Sequence, residues 1–216
     1  MDYSALRRRM VESQLRPNKI TDDAVLDAMG ELPRELFVPR ALKSVAYLDE
    51  DLQIAPGRYL MEPMVLGRLL QYAEIKPTDT ALVVGCGNGY SAAVVARLAN
   101  SVVAIESDPA LAQKAQELLA ELDASNVNLV RGPLAGGYPG ETGYEVILFD
   151  GAITEIPDAV ARQLIFGGRL VGVLQSEGPG RAILATRTEG GLTKRVVFDC
   201  SVAPLPGFAK AASFVF

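Results

Sequence analysis

Gly85-Cys86-Gly87-Asn88-Gly89 sets three glycines at alternating places between a short apolar run and an Ala/Val-rich segment. Glycine there permits positive φ and lets a ligand approach the backbone closely. Glu106 closes the next apolar run, about 20 residues on, where a carboxylate accepts hydrogen bonds from both hydroxyls of a ribose. Loop and acid together point to a nucleoside cofactor, with Gly85, Cys86, Gly87, Gly89, Glu106 and the adjoining Ser107 as its contacts. A dinucleotide fingerprint places Gly or Ala at the sixth position counted from the first glycine, and here that position is Tyr90. The third glycine falls one place early, so the pattern is G-x-G-x-G. Cys86 reads as a small residue in a backbone-lined loop, with no neighbouring base to make it a nucleophile. Asp150 closes a later apolar run, at the strand end where open parallel sheets bind ligands. It has two readings: an anchor for an ammonium group, or a cap on the following loop through its own backbone bonds.

Composition narrows the chemistry. The 216 residues include no His and no Trp, so a Ser–His–Asp or Cys–His nucleophile and a His-ligated metal are excluded. No metal site is expected. Two cysteines, Cys86 and Cys200, make no disulfide scaffold. Arg7-Arg8-Arg9 has no apolar stretch behind it, so no signal peptide is read there. No apolar run reaches the roughly 18 residues of a membrane span. A cytoplasmic protein with no membrane partner is the expectation. A net charge of −5 speaks against a nucleic-acid partner, and Arg7–Arg9 reads as a solvated helix face.

The elements that must position these residues come in two styles. Tyr3–Leu15 reads as an amphipathic helix stopped near Pro17. Thr21 reads as the N-cap of a helix over 22–29, whose first-turn acids suit the helix dipole. Short helices are expected near Pro33 and Pro39, a loop over 47–59, and a helix from Pro63 to about Tyr72. After that, strand and helix alternate. Strands are predicted at 80–84, 101–105, 127–130, 145–149 and 169–174. Helices are predicted at 90–99, 109–122 and 156–166, the last closed by Gly167-Gly168. Continuous apolar strands imply a sheet covered on both faces, hence an α/β, doubly wound, mostly parallel sheet. Segments 182–188 and 195–200 flank Glu189-Gly190-Gly191 as an antiparallel C-terminal hairpin. The expected organisation is a single domain over 1–216, with a helical N-terminal extension and lid at 1–62 and the α/β core at 63–216.

The glycine pattern resembles that of class I S-adenosylmethionine methyltransferases. The chain as a whole resembles the protein-L-isoaspartate O-methyltransferases from about Met10 to Leu205. The marks are Leu32-Pro33-Arg34-Glu35, Phe37-Val38-Pro39, Ala46-Tyr47-Leu48-Asp49, Gly57 to Pro63, Tyr90 to Val94 after the glycines, Glu155-Ile156-Pro157, Gln163-Leu164 and Gly167 to Val171. The resemblance implies a Rossmann-like S-adenosylmethionine fold acting as a monomer. It implies methylation of the α-carboxylate of isoaspartyl residues in damaged proteins or peptides, as a repair step. Such a carboxylate is already ionised at pH 7, so the lack of His is no obstacle.

Four departures from the family pattern stand out. Met61 occupies the place of a Ser in a segment the family writes as G-Q-T-I-S-Q-P, with Glu62 beside it. Val83 replaces an acid before the glycines. Gly132-Pro133 replaces the Gly-Asp that contacts adenine. Asp150 replaces a small or hydroxyl residue. The resemblance thus assigns Gly132 and Pro133 to the cofactor's adenine and Met61 to the catalytic side; Asp150, an acid that the family lacks there, is a further catalytic candidate. Two other readings remain beside repair methylation: methyl transfer to a different small nucleophile, and a non-catalytic binding protein on the same fold.

Overall fold

The computed structural model describes residues 1–140, 143–176 and 178–208; the last residues of the expected domain, 209–216, lie outside them. The chain opens with α1 (Tyr3–Met10), whose first turn is capped by Asp2 accepting from the Ala5 amide. It widens into a π-helical turn over Val11–Leu15, so the single helix expected there changes pitch half-way. α2 spans Asp23–Glu31 and is capped by Asp22, not Thr21. The Thr21 amide is taken by the Gln71 side chain at 2.6 Å, which fixes Thr21 outside the cap position. Two 3-10 turns, Arg34–Leu36 and Arg40–Val45, follow Pro33 and Pro39.

The expected loop over 47–59 is partly a hairpin. β1 (Leu52–Ala55) pairs antiparallel with β2 (Arg58–Leu60). Gly57, at φ +69°, turns the chain between them. Leu52 and Leu60 sit opposite one another, both buried. α3 (Pro63–Ala73) follows, with Pro63 in its first turn.

The main sheet has seven strands in the order β5-β4-β3-β6-β7-β8-β9. β3 (Thr80–Val84), β4 (Ser101–Glu106), β5 (Val127–Arg131), β6 (Tyr144–Ile153) and β7 (Leu164–Leu174) are parallel. β8 (Arg181–Thr188) and β9 (Gly191–Asp199) close it as the predicted antiparallel hairpin. α4 (Tyr90–Ala96) and α5 (Pro109–Glu121) make the crossovers beside β3 and β4. Alternate strand residues enter two apolar layers. Val83, Ala104, Leu148 and Val171 face the side packed by α3, α4 and α5. Leu82, Val84, Ile105 and Phe149 face the side covered by Leu134, Val160, Leu205 and Phe208. Burial of both faces explains why these strands read as unbroken apolar runs.

One expected helix fails. Only α6 (Asp158–Ala161) is helical in the segment read as 156–166. Leu164 pairs with Tyr144, so Leu164–Phe166 already belongs to β7. Gly167 and Gly168 therefore form a bulge inside a strand rather than a helix stop. The pairing of Val146 with Arg169, directly after Tyr144 with Leu164, shows the extra residues looped out.

Candidate functional site

The strand–loop–helix unit forms as expected. β3 ends at Val84, the glycines turn the chain, and α4 starts at Tyr90. Gly85, at φ +81°, donates its amide to the Ile105 carbonyl. β4 delivers Glu106 fully buried beside the loop. One carboxylate oxygen accepts from the Gly87 amide at 2.8 Å; the other accepts from Ser107 at 2.7 Å and Asp108 at 2.9 Å. Gly132 follows β5 and donates to the Glu106 carbonyl at 3.0 Å, and Pro133 precedes the 3-10 turn Leu134–Gly136. Gly85, Cys86, Gly87, Gly89, Glu106, Ser107, Gly132 and Pro133 thus gather around the carboxyl ends of β3, β4 and β5.

A residue that sequence reasoning passed over dominates the cradle. Arg58, on β2, sends both terminal nitrogens to the two Glu106 oxygens, one of them at 2.8 Å. The nitrogen at 2.8 Å also donates to the Gly85 carbonyl at 3.0 Å. The pair is buried on both sides. The signal was present: the family segment carries Gln at this place, and this chain carries Arg.

Two apolar side chains complete the filling. A Cβ built on Gly85 meets the Leu205 side chain at 2.6 Å, and one on Gly87 meets the Ile54 side chain at 2.9 Å. The two glycines therefore face the chain's own residues at a spacing that leaves no room for a methyl group. Leu205 is placed by backbone pairing with β6: Ala152 donates to Ala203, and Leu205 donates to Ala152 at 2.8 Å.

Asp150 lies inside β6, which continues to Ile153, so it caps no loop. Its carboxylate accepts from the Ser91 hydroxyl at 2.5 Å, and its second oxygen is buried without a partner among the described residues. Burial is the main reason its pKa rises to about 6; Ser91 and Arg58 oppose the rise. Met61 is buried beside it, and its carbonyl accepts from Arg34 at 2.7 Å. Arg34 also donates to the Ala46 carbonyl at 2.7 Å and lies over the Tyr90 ring. That accounts physically for the Leu-Pro-Arg-Glu mark: Arg34 ties the start of the chain to the Met61 segment. Arg7 is likewise no simple solvated charge, because it donates to the Tyr47 hydroxyl, which in turn donates to Glu35. Val83 is fully buried in the sheet and brings no polar group to the site.

Cys86 is buried, and burial followed by the charges of Glu106 and Asp150 holds its thiol well above the usual range. Cys200 is pushed up to about 11, chiefly by burial. Since thiolate is the reactive form, the native protein is expected to show no fast thiol toward Ellman's reagent at pH 7.5. Both should titrate after unfolding. Rapid modification of one equivalent in the native state would contradict this placement.

The model of the family "Protein-L-isoaspartate(D-aspartate) O-methyltransferase" matches residues 6–207. The chain belongs to this family. A family relative from Anaeromyxobacter, protein-L-isoaspartate O-methyltransferase 2, is 42% identical over 186 residues, covering 86% of this chain and 76% of that protein. One from Herpetosiphon aurantiacus is 36% identical, covering 93% and 90%. Among solved structures, a protein-L-isoaspartate O-methyltransferase superposes with a TM-score of 0.83 at 23% identity, over 94% of this chain and 67% of that one. A Plasmodium falciparum protein of the same description, in complex with S-adenosyl-L-homocysteine, gives 0.78 at 18%, over 95% and 98%. These two likenesses establish the Rossmann-like methyltransferase fold. The family match does not favour the readings as a different transferase or a non-catalytic binder.

The family's methyl donor does not fit the cradle as it stands. Beside the cradle, the void bounded by Asp51, Arg58, Met61, Asp150 and Leu205 is about 10 Å³, room for one water. Arg58 lies on Glu106, Ile54 on Gly87 and Leu205 on Gly85, the residues that the sequence reading gave to the cofactor. A cleft of about 830 Å³ opens on the other side of the Val202–Leu205 segment, between Tyr59, Thr154, Gln175 and Phe208.

Proposed function

We propose that this protein is an S-adenosylmethionine-dependent methyltransferase that esterifies the α-carboxylate of L-isoaspartyl residues in damaged proteins and peptides. The observation that carries the reading is the glycine cradle with buried Glu106 at the end of β4, in a chain matched along residues 6–207. The acceptor's chemistry agrees with the residues. A carboxylate is ionised at pH 7, so no proton has to be removed from it, and the chain holds no His to remove one. What remains is alignment, a contribution of up to roughly 7–11 kcal/mol in well-oriented systems.

Within this reading the predicted residues take these roles. Gly85, Cys86, Gly87 and Gly89 supply backbone to the cofactor. Glu106, with Ser107 behind it, supplies acceptors for the ribose. Gly132 and Pro133 flank the adenine. Asp150, which lines the same small void as Met61, is assigned to an ammonium group of donor or substrate. Met61 stands at the family's Ser position and offers no hydrogen bond to a carboxylate, so it serves as an apolar wall. The 830 Å³ cleft at the carboxyl ends of β6 and β7 is assigned to the damaged chain. No helix among the described residues is long and apolar enough to cross a membrane. Action in the cytoplasm, as a monomer and without nucleic acid, belongs to the same reading, supported by the acidic balance and the family's habit.

Transfer of labelled methyl from S-adenosylmethionine to an isoaspartyl peptide tests it. The expected result is a base-labile ester on the isoaspartyl peptide and none on its aspartyl twin. Binding of S-adenosylhomocysteine without transfer to the isoaspartyl peptide would overturn the substrate half.

A further inference from the structure

We propose that Arg58 is a built-in competitor for the ribose seat. The β1–β2 hairpin carries its guanidinium onto Glu106, and an adenosine cofactor enters only when the hairpin lifts and Arg58 releases that carboxylate. This rests on the reading of the protein as an S-adenosylmethionine enzyme, and it adds a residue that sets cofactor affinity.

Two observations carry it. Arg58 meets both oxygens of Glu106, the same acceptor pair that a ribose diol would use. A bidentate fork is the strongest partner a side chain offers a carboxylate. Ile54, on the same hairpin, lies on Gly87, so one element blocks both the ribose seat and the backbone approach.

The hairpin is also built as a separable piece. β1 and β2 form a two-stranded sheet of their own, unpaired with the seven-stranded one, and such a hairpin is marginal without outside anchors. Besides the packing of Leu52 and Leu60, its polar anchors among the described residues are two. One is Arg58 itself. The other is Asp51, which accepts from the Glu62 amide at 2.8 Å and the Ala203 amide at 2.6 Å. Asp51 therefore clasps the hairpin to the tail segment that puts Leu205 on Gly85. The two fillers of the cradle are fastened to each other, and they would leave it together.

Release leaves no bare charge in the cradle. Glu106 keeps the amides of Gly87, Ser107 and Asp108 when Arg58 departs, so the carboxylate stays held while its outer face turns to the cofactor. Arg58 lies next to the hairpin's exposed turn, Pro56-Gly57, a short path to solvent.

The test compares wild type with Arg58→Gln, which restores the family's residue, and Arg58→Lys, which keeps the charge but loses the fork. Titration calorimetry with S-adenosylhomocysteine reads affinity. Hydrogen exchange of the ligand-free proteins reads the amides of 52–60 and of Gly87 and Ser107. The expected result is at least tenfold tighter binding by Arg58→Gln, a smaller gain for Arg58→Lys, and faster exchange over 52–60 in both. Equal affinity in wild type and Arg58→Gln overturns the competition and leaves the methyltransferase reading standing. Absence of binding to all three proteins removes the cofactor reading instead. The exchange data then decide the closure: faster exchange in Arg58→Gln upholds Arg58 as its fastener, and unchanged exchange refutes it. Should Arg58→Gln fail to unfold cooperatively, Arg58→Lys carries the same comparison.

Discussion

Glu106→Ala is expected to lower the unfolding free energy by about 3–5 kcal/mol, the range for removing one partner of a buried ion pair. For a chain of this size that corresponds to a fall in melting temperature of roughly 10 °C. The argument turns on what each partner keeps when the other is removed. Without Glu106, Arg58 is a buried cation whose one remaining acceptor among the described residues is the Gly85 carbonyl. The amides of Gly87, Ser107 and Asp108 lose their acceptor at the same time. Without Arg58, Glu106 keeps those three amides. Arg58→Met should therefore cost much less, on the order of 1–2 kcal/mol. The double variant should be more stable than Glu106→Ala alone, because it no longer buries an unpaired charge. Urea denaturation of the four proteins closes the cycle. If Glu106→Ala and Arg58→Met were equally and mildly destabilised, the pair would be solvent-accessible in solution and the buried geometry wrong.

This asymmetry also marks the boundary of what the sequence could disclose. The glycine loop and Glu106 were legible because both are local: a strand ends, glycines turn the chain, and the next strand carries an acid at a fixed distance. The parallel sheet was legible because strands buried on two faces must be apolar throughout. Arg58 was not legible as a partner of Glu106, because 48 residues separate them and no periodicity links a short hairpin to a strand end. Leu205 and Gly85 are further apart still. The helix read over 156–166 failed for a different reason. Leu164-Ile165-Phe166 is apolar enough for either element, and pairing with Tyr144 decided for the strand. Asp150 fell between these cases. The strand read as 145–149 runs on to Ile153, so Asp150 sits inside it, and the state of its carboxylate required the Ser91 hydroxyl, 59 residues away.

Asp150 should make the protein less stable as pH rises from 4 to 6, against the usual trend for carboxylates. Its pKa is raised from 3.8 to about 6, mainly by burial. The folded state therefore binds the proton more tightly than the unfolded chain does. The favourable contribution of the protonated form is fully present below pH 4 and is lost as pH climbs through 6, with no further change above. The interval between 3.8 and about 6 corresponds to about 3 kcal/mol. Glu62, raised to about 7 by burial and by Asp49, Asp51 and Glu50, adds a loss of the same sign up to pH 7. Asp51, raised mainly by burial, adds a further loss of that sign, so the wild-type curve alone mixes several groups. The informative quantity is the difference between wild type and Asp150→Asn. Asn keeps an acceptor for the Ser91 hydroxyl and has no charge to desolvate. Asp150→Asn should match wild type near pH 4 and exceed it by up to about 3 kcal/mol at pH 8, measured by urea midpoints at each pH. A pH-independent difference would mean that Asp150 titrates near its ordinary value and is hydrated. The assignment of Asp150 to an ammonium group adds a second readout with the opposite slope. A cation held there requires the ionised form, so affinity for S-adenosylhomocysteine should rise between pH 5 and 7 in wild type and stay flat in Asp150→Asn. Stability falling while affinity climbs over one pH interval, both abolished by one substitution, is what a buried carboxylate kept ready for a cation produces.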